Sequence, residues 1–378
     1  MKKIKIYIPL LIFFFINAKP FFAQNFKFAA MSDSRGNYNG VNEPVLSELV
    51  KHMLKNNKDL KFLVFPGDLV NGNRHSADTT IKQIKHWKKI MSPVYESKTL
   101  VWPKVWVSIG NHEVQSVLDE SNFKKEFQYL YKNGPNDEKE LTYSFDYDNV
   151  HFVFVTTDRW HYSEEEPGKR DWHYVKHLDW LEKDLKSAKK NGVRYIFVMG
   201  HETAFPIGGH LKDALPNLGK NFKLPADKSK LWYLKQRDNF WKILSENKVS
   251  AYICGHEHIY GREMIDGVYQ ITAGTCGAPL YDFNPKYSKS PNKLEPGQWI
   301  TYNQALPYYK VLNYNYGPGG NAQASKNFVG YRAFVYVTLH VTKNNVQVKT
   351  YGLYPKKGSR TIMQKPVKLI DSFVIDKK

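Results

Sequence analysis

The chain is poor in cysteine and short of acid. Only Cys254 and Cys276 occur among 378 residues, so one disulfide at most can form. Export would permit it, but the spacing alone leaves a disulfide and two buried free thiols equally open. Against 55 Lys and Arg stand only 36 Asp and Glu, for a net charge of +19. A basic surface of this kind attracts anions such as phosphate esters, nucleic acid or lipid headgroups. The lysines are scattered, as in Lys88-Lys89, Lys124-Lys125, Lys189-Lys190 and Lys356-Lys357. None forms a stripe interleaved with aromatics, so no specific nucleic-acid binding is expected. Linkers rich in Pro, Gly and Ser are absent, as are repeats and low-complexity tracts, which argues for one domain rather than two halves.

Long apolar runs are also missing outside the first residues. Met1 to Ala23 has a basic head (Lys2, Lys3, Lys5), an apolar middle from Ile6 to Ala18, and Phe21-Phe22-Ala23 before Gln24. That is the layout of a secretory signal peptide cleaved after Ala23. Pro9 and Asn17 interrupt the apolar part, which falls short of the ~20 residues of a spanning helix. Expected localisation is therefore secreted or periplasmic, with no transmembrane anchor after cleavage. The mature chain from residue 24 keeps a charge of about +15 and is ample for a large core. With 42% hydrophobic and 15% aromatic residues, it has a globular composition.

Five times an apolar strand stops at a turn carrying Asp, Asn or His. Phe26–Met31 leads into Ser32-Asp33-Ser34-Arg35-Gly36, and Lys61–Phe65 into Pro66-Gly67-Asp68. Val105–Ile109 runs into Gly110-Asn111-His112-Glu113, Tyr195–Met199 into Gly200-His201, and Ala251–Cys254 into Gly255-His256-Glu257-His258. His151–Thr157 and Val268–Ala273 read as further strands. Between them, Val45–Leu54, Ile81–Ile90 and Leu178–Ala188 carry apolar residues at helical spacing. Alternation of this kind predicts an α/β sheet whose ligand site lies at the carboxyl ends of its strands. A single Asp at a strand end is usually a cap or turn residue. Five strand ends bearing oxygen and imidazole donors exceed what capping requires. In the last of them, the glycine lets the backbone turn, and the two histidines at i and i+2 can face one pocket.

This series, Asp33, Gly67-Asp68, Gly110-Asn111-His112-Glu113, Gly200-His201 and Gly255-His256-Glu257-His258, resembles the calcineurin-like metallophosphoesterase superfamily in order and spacing from about residue 26 to 275. The stretch Gly255 to Arg262 is most similar to the branch containing purple acid phosphatases. The resemblance implies an α/β (α+β) fold, a four-layer sandwich of two mixed β-sheets flanked by α-helices. It further implies two metal ions (Mn, Fe or Zn), with Asp68 as bridge, Asp33 and His258 on the first, and Asn111, His201 and His256 on the second. His112 would be the acid beside the leaving group, oriented by an acidic neighbour such as Glu113. The chemistry suits these residue types. Two cations about 3.5–4 Å apart clamp an in-line displacement and activate a bridging water to attack a phosphate mono- or diester. A carboxylate can bridge two ions, while neutral imidazole and amide complete the shell without thiolate.

One position departs from the family. Where the first motif usually reads D-x-H, this chain has Asp33-Ser34-Arg35, and Asn71 stands where purple acid phosphatases supply a tyrosine. An arginine stays protonated and repels a cation. Three readings follow. Arg35 grips the substrate phosphate with its bidentate fork; the first site binds metal weakly or recruits Asn71 or His75; or the chain is a catalytically impaired periplasmic binding protein for phosphorylated ligands.

Less chemistry is expected elsewhere. Asp158-Arg159-Trp160-His161 either lines the pocket rim or forms a turn with an ion pair. Residues 275–330 read as a loop-rich insertion, either shaping substrate choice through Tyr281, Tyr308 and Tyr309 or idle on the surface. In the 331–378 region, Phe334–Val341 and Val346–Tyr351 alternate around Lys343-Asn344-Asn345 and predict a hairpin at the edge of the second sheet.

Overall fold

A computed structural model describes residues 25–116, 118–157, 174–206, 230–281, 322–324 and 328–377. The chain opens with β1 (Phe26–Ala30), the ribbon β2 (Arg35–Gly36) and β3 (Gly40–Val41), α1 (Glu43–Asn56), β4 (Leu60–Pro66), α2 (Ala77–Ile90), α3 (Ser92–Tyr95) and β5 (Val105–Ser108). Next come α4 (Asp119–Glu126), β6 (Tyr143–Tyr147), β7 (Val150–Phe154), α5 (Leu178–Lys190), β8 (Tyr195–Met199), α6 (Lys230–Glu246) and β9 (Ala251–Cys254). The remaining strands are β10 (Tyr260–Ile265), β11 (Val268–Thr272), β12 (Ala322–Ala324), β13 (Phe328–Tyr331), β14 (Phe334–Val341), β15 (Asn345–Pro355) and β16 (Met363–Asp376).

Two mixed sheets result. One has the order β16-β15-β14-β1-β4-β5, the other β12-β13-β10-β11-β9-β8-β7-β6. Within the first, β1, β4 and β5 are parallel. Within the second, β7, β8, β9 and β11 are parallel. Parallel strands bring their carboxyl ends to one side, where their loops meet. Main-chain bonds knit the two sets of ends together. Cys276 N donates to Ser32 O at 2.7 Å and Ala278 N to Asp33 O at 2.8 Å.

The sheets face each other across aromatic side chains. Phe28 on β1 meets Phe152 and Phe197 edge-on at 5.1 and 5.2 Å between ring centroids, and Phe62 on β4 meets Phe152 at 5.3 Å. Each such contact adds to the area it buries. Helices cover the outer faces. Val45, Leu46, Leu49 and Met53 form the apolar stripe of α1, at helical spacing, and Ile84 and Trp87 that of α2. Leu181, Leu185, Phe240 and Trp241 from α5 and α6 close the other side over Val153, Ile196 and Val198. The expected four layers, helix, sheet, sheet, helix, are present.

Three features differ from the reading of the sequence. The C-terminal hairpin belongs to the sheet built on β1, and β14 pairs directly with that strand. Its outer edge is formed by β16, which the sequence reading missed. The 275–330 stretch ends in β12 and β13, which join the second sheet beside β10. Both cysteines are buried free thiols. The signal-peptide segment, Asp158–His161, Tyr308 and Tyr309 lie outside the described residues. Among the described residues, no helix is long and apolar enough to cross a membrane.

Candidate metal centre

All six expected ligands come to the strand ends. Asp33 follows β1, Asp68 follows β4, Asn111 follows β5, His201 follows β8, and His256 and His258 follow β9. Asp33, Asp68 and His256 each adopt a left-handed φ (57°, 52° and 66°). That conformation costs on the order of 1 kcal/mol per residue and persists only where surrounding bonds fix it. Here they do. His256 N donates to both oxygens of Asp33, at 3.1 and 3.0 Å. Gly255 is required just before it, because a Cβ there would lie 2.0 Å from Ser32 Oγ and 2.3 Å from Asp33 Oδ2.

Three donor atoms form a tight triangle. Asn111 Oδ1 is 3.1 Å from His201 Nε2 and 3.2 Å from His256 Nδ1, and the two imidazole nitrogens are 3.3 Å apart. Asp68 Oδ1 stands 3.3 Å from His201 Nε2. Nitrogen and oxygen donors about 2.0–2.2 Å from one ion stand roughly 3–3.5 Å from each other, so these four groups fit a metal ion. Tautomers agree with that reading. The Pro66 carbonyl accepts from His201 Nδ1–H at 3.0 Å. A carbonyl only accepts, so in neutral His201 the lone pair is on Nε2, toward the cluster.

The other position is different. His258 Nδ1–H donates to Pro279 O at 2.9 Å, which turns Nε2 toward Asp33 Oδ1 at 3.5 Å. However, Arg35 Nη2 lies 3.3 Å from that same Nε2, and Arg35 Nε lies 3.5 Å from Asp68 Oδ2. A guanidinium thus faces two of the three donors that a second ion would use. As arranged, this set does not fit a second ion. Asn71 and His75 do not supply the missing donor. Both are exposed, and Asn71 contributes its main-chain oxygen instead.

That oxygen corrects the expectation for His112. Its Nδ1–H donates to Asn71 O at 2.7 Å, and Nε2 faces Asp68 Oδ2 at 3.9 Å. Glu113 does not orient it. Instead, the fully buried Glu113 carboxylate accepts from Asp68 N at 2.9 Å, Gly110 N at 2.8 Å and Val70 N at 3.0 Å. It holds together the two loops that carry Asp68 and Asn111. Glu113 N also donates to Gly110 O at 3.0 Å, so that Gly110 and Glu113 are bonded in both directions. The sequence reading also missed the Pro66 and Pro279 carbonyls, for which no sequence signal exists. Tyr281 stacks on the His258 ring at 4.2 Å.

Burial and charge push the two acids apart. Burial raises the Asp33 carboxyl to about 6. Asp68 is equally buried, but His201, His112 and Arg35 outweigh that and hold it near 2. Burial lowers His112 to about 4, although Asp68 opposes the shift. A bound cation would draw the carboxylates further toward their charged forms. Asp33, Asp68, His201 and His258 are essentially inaccessible, whereas the Arg35 and His112 side chains each keep 18% exposure. The open side of the cluster is therefore lined by Arg35 and His112 together with the partly buried Asn111.

The sequence profile of the calcineurin-like phosphoesterase family matches residues 26–260. No curated protein sequence matches the chain. Among solved structures, the purple acid phosphatase PPD1 from yellow lupin (Lupinus luteus) is similar at 15% identity and a TM-score of 0.57. The match covers 94% of this chain, which spans 55% of the length of the lupin protein. PhoD is similar at 11% identity and a TM-score of 0.55, over 94% of this chain and 70% of PhoD. A dimetal phosphatase from Danio rerio is similar at 13% identity and a TM-score of 0.52, over 93% of this chain and 99% of that one. At these identities the likeness shows the fold alone.

Proposed function

Since the chain belongs to the calcineurin-like phosphoesterase family, hydrolases that act on phosphate esters, we propose that it is an exported metal-dependent phosphoesterase for small-molecule phosphate mono- or diesters. The observation that carries this reading is the converging triangle of Asn111 Oδ1, His201 Nε2 and His256 Nδ1 beside Asp68. A bound divalent ion would polarise a phosphoryl oxygen and acidify a bound water. The family implies a second ion, with Asp33, Asp68 and His258 as its donors, but the reading requires only the first described here.

The chain's own groups supply the rest. The ester enters on the side of Arg35 and His112. Arg35 offers its fork to phosphate oxygens and neutralises charge that develops on them. His112 Nε2 lies 3.9 Å from the same Asp68 oxygen that Arg35 faces, and with Nδ1–H fixed on Asn71 O it is the ring nitrogen left to meet the leaving oxygen. The incoming phosphate anion favours imidazolium, and Nε2–H then protonates the departing alkoxide. Burial of Asp68, His201 and His256 keeps bulk water away from that side of the reacting centre.

The test is hydrolysis of p-nitrophenyl phosphate and its bis ester. Mature protein is assayed after metal stripping and again after resupply of manganese, iron or zinc, with His256→Ala as control. Activity that returns with metal and is lost in the variant supports the reading, and the preferred ester assigns the subclass. A second reading, a non-catalytic binder of phosphorylated ligands, is favoured by Arg35 lying against His258. It predicts phosphate binding with no turnover under any metal.

A further inference from the structure

We infer that the guanidinium of Arg35 takes the place of the first metal ion, so that this chain works with one ion and one fixed arginine. The inference rests on the proposed metal site at Asp68, Asn111, His201 and His256. Two observations carry it. The first is contact with the donors themselves. Because the Pro279 carbonyl accepts from His258 Nδ1–H, Nε2 is the acceptor nitrogen, and Arg35 Nη2–H donates to it at 3.3 Å. At the same time, Arg35 Nε stands 3.5 Å from Asp68 Oδ2, the oxygen not turned toward His201. The lone pair and the carboxylate oxygen that an ion would need are both facing an existing cation, which carries no lone pair of its own and does not deprotonate.

The second observation is that the arginine is held there. Arg35 lies in the ribbon β2–β3, paired with Val41. Its neighbour Gly36 is packed so tightly that a Cβ would come within 2.7 Å of Asn42 N. Asn42 is anchored in turn by its Nδ2, which donates to Gly277 O at 2.7 Å. The backbone under Arg35 thus has little room to withdraw the side chain. Asp33, Asp68 and Arg35 together form a local ion cluster in which the guanidinium balances charge that a second dication would otherwise balance. Unlike an ion, it also presents N–H groups in a plane suited to two phosphate oxygens. In this chain the substitution of arginine for the family's histidine is therefore an exchange of one cation for another.

The experiment counts metal. Full-length mature protein is stripped with chelator, loaded with Mn²⁺, desalted, and analysed for manganese per chain by plasma mass spectrometry, with electron paramagnetic resonance on the same samples. One ion per wild-type chain is expected, with the spectrum of an uncoupled Mn²⁺. Arg35→His should raise the count to two and give an exchange-coupled spectrum, while His201→Ala should lower it to near zero. Two coupled ions in wild type would overturn the inference while leaving the metal site intact. No bound manganese in wild type would overturn the site and the inference with it. If Arg35→His fails to fold, the wild-type count and spectrum still decide.

Discussion

Glu113 gives the sharpest prediction about how the site is built. Its carboxylate is fully buried and accepts from three main-chain N–H groups, those of Asp68, Val70 and Gly110. Glu113→Gln keeps the shape but leaves one carbonyl oxygen for the work of two. The amide NH₂ must then point at one or two of those N–H groups. A buried donor left unsatisfied costs about 1–3 kcal/mol, so the glutamine variant should lose about 2–3 kcal/mol of stability. Glu113→Ala orphans all three donors and should lose about 4–6 kcal/mol, less than a simple sum because water can enter the space. Equilibrium urea unfolding of metal-stripped protein, followed by tryptophan fluorescence, measures both values. Stripping matters, because the same loops carry Asp68 and Asn111, and loss of metal would otherwise add to the difference. A glutamine variant as stable as wild type but catalytically dead would refute the argument. It would mean that Glu113 acts through His112 after all.

Burial alone would lower the His151 imidazole, but its contacts with Asp146 at 2.6 Å and Asp184 at 2.8 Å raise it to about 9. Its stabilising contribution is therefore complete below about pH 6.5 and is lost as pH rises through about 9. Because Asp146 is well exposed, its share is discounted. Asp184→Asn should cost about 1–2 kcal/mol at pH 6 and little at pH 9.5 in urea unfolding, and an equal loss at both would sink the assignment. Gly255→Ala places a methyl 2.3 Å from Asp33 Oδ2 and should abolish tight Mn²⁺ binding in calorimetric titration; unchanged affinity would contradict the close approach. Phe28→Ala opens a hole between the sheets and should cost about 3–5 kcal/mol, whereas a loss below 1 kcal/mol in the same unfolding assay would show that the aromatic layer is not what joins them.

The parts of the fold that repeat locally were legible. Each apolar run that ended at Asp33, Asp68, Asn111, His201 or His256 became a strand leading into the site, and the apolar spacing in Val45–Met53 and Ile81–Trp87 became the inner faces of α1 and α2. Strands whose pattern is set by distant partners were not. β16 is largely exposed, contains Pro366 flanked by Lys365 and Lys368, and is specified mainly by its pairing with β15. β10 hides Glu263 in the core against Gln270, and its Arg262 pairs with Asp371 at 2.7 Å. A charged run of that kind reads as surface until its partners are known. The same limit applies at the site. The ligand types were readable from motif order, but Arg35 meeting His258 across 223 positions depends on how two sheets bring their ends together.

The central claim is that Asp68, Asn111, His201 and His256 hold a catalytic metal ion. Anomalous scattering from crystals soaked in Mn²⁺, with data collected on both sides of the manganese edge, tests it most directly. The account predicts a peak about 2.0–2.3 Å from Asn111 Oδ1, His201 Nε2 and His256 Nδ1, absent in crystals of His256→Ala. A peak only elsewhere, for instance beside Asp137, Glu138 and His177, where a second group of possible donors gathers, would contradict it.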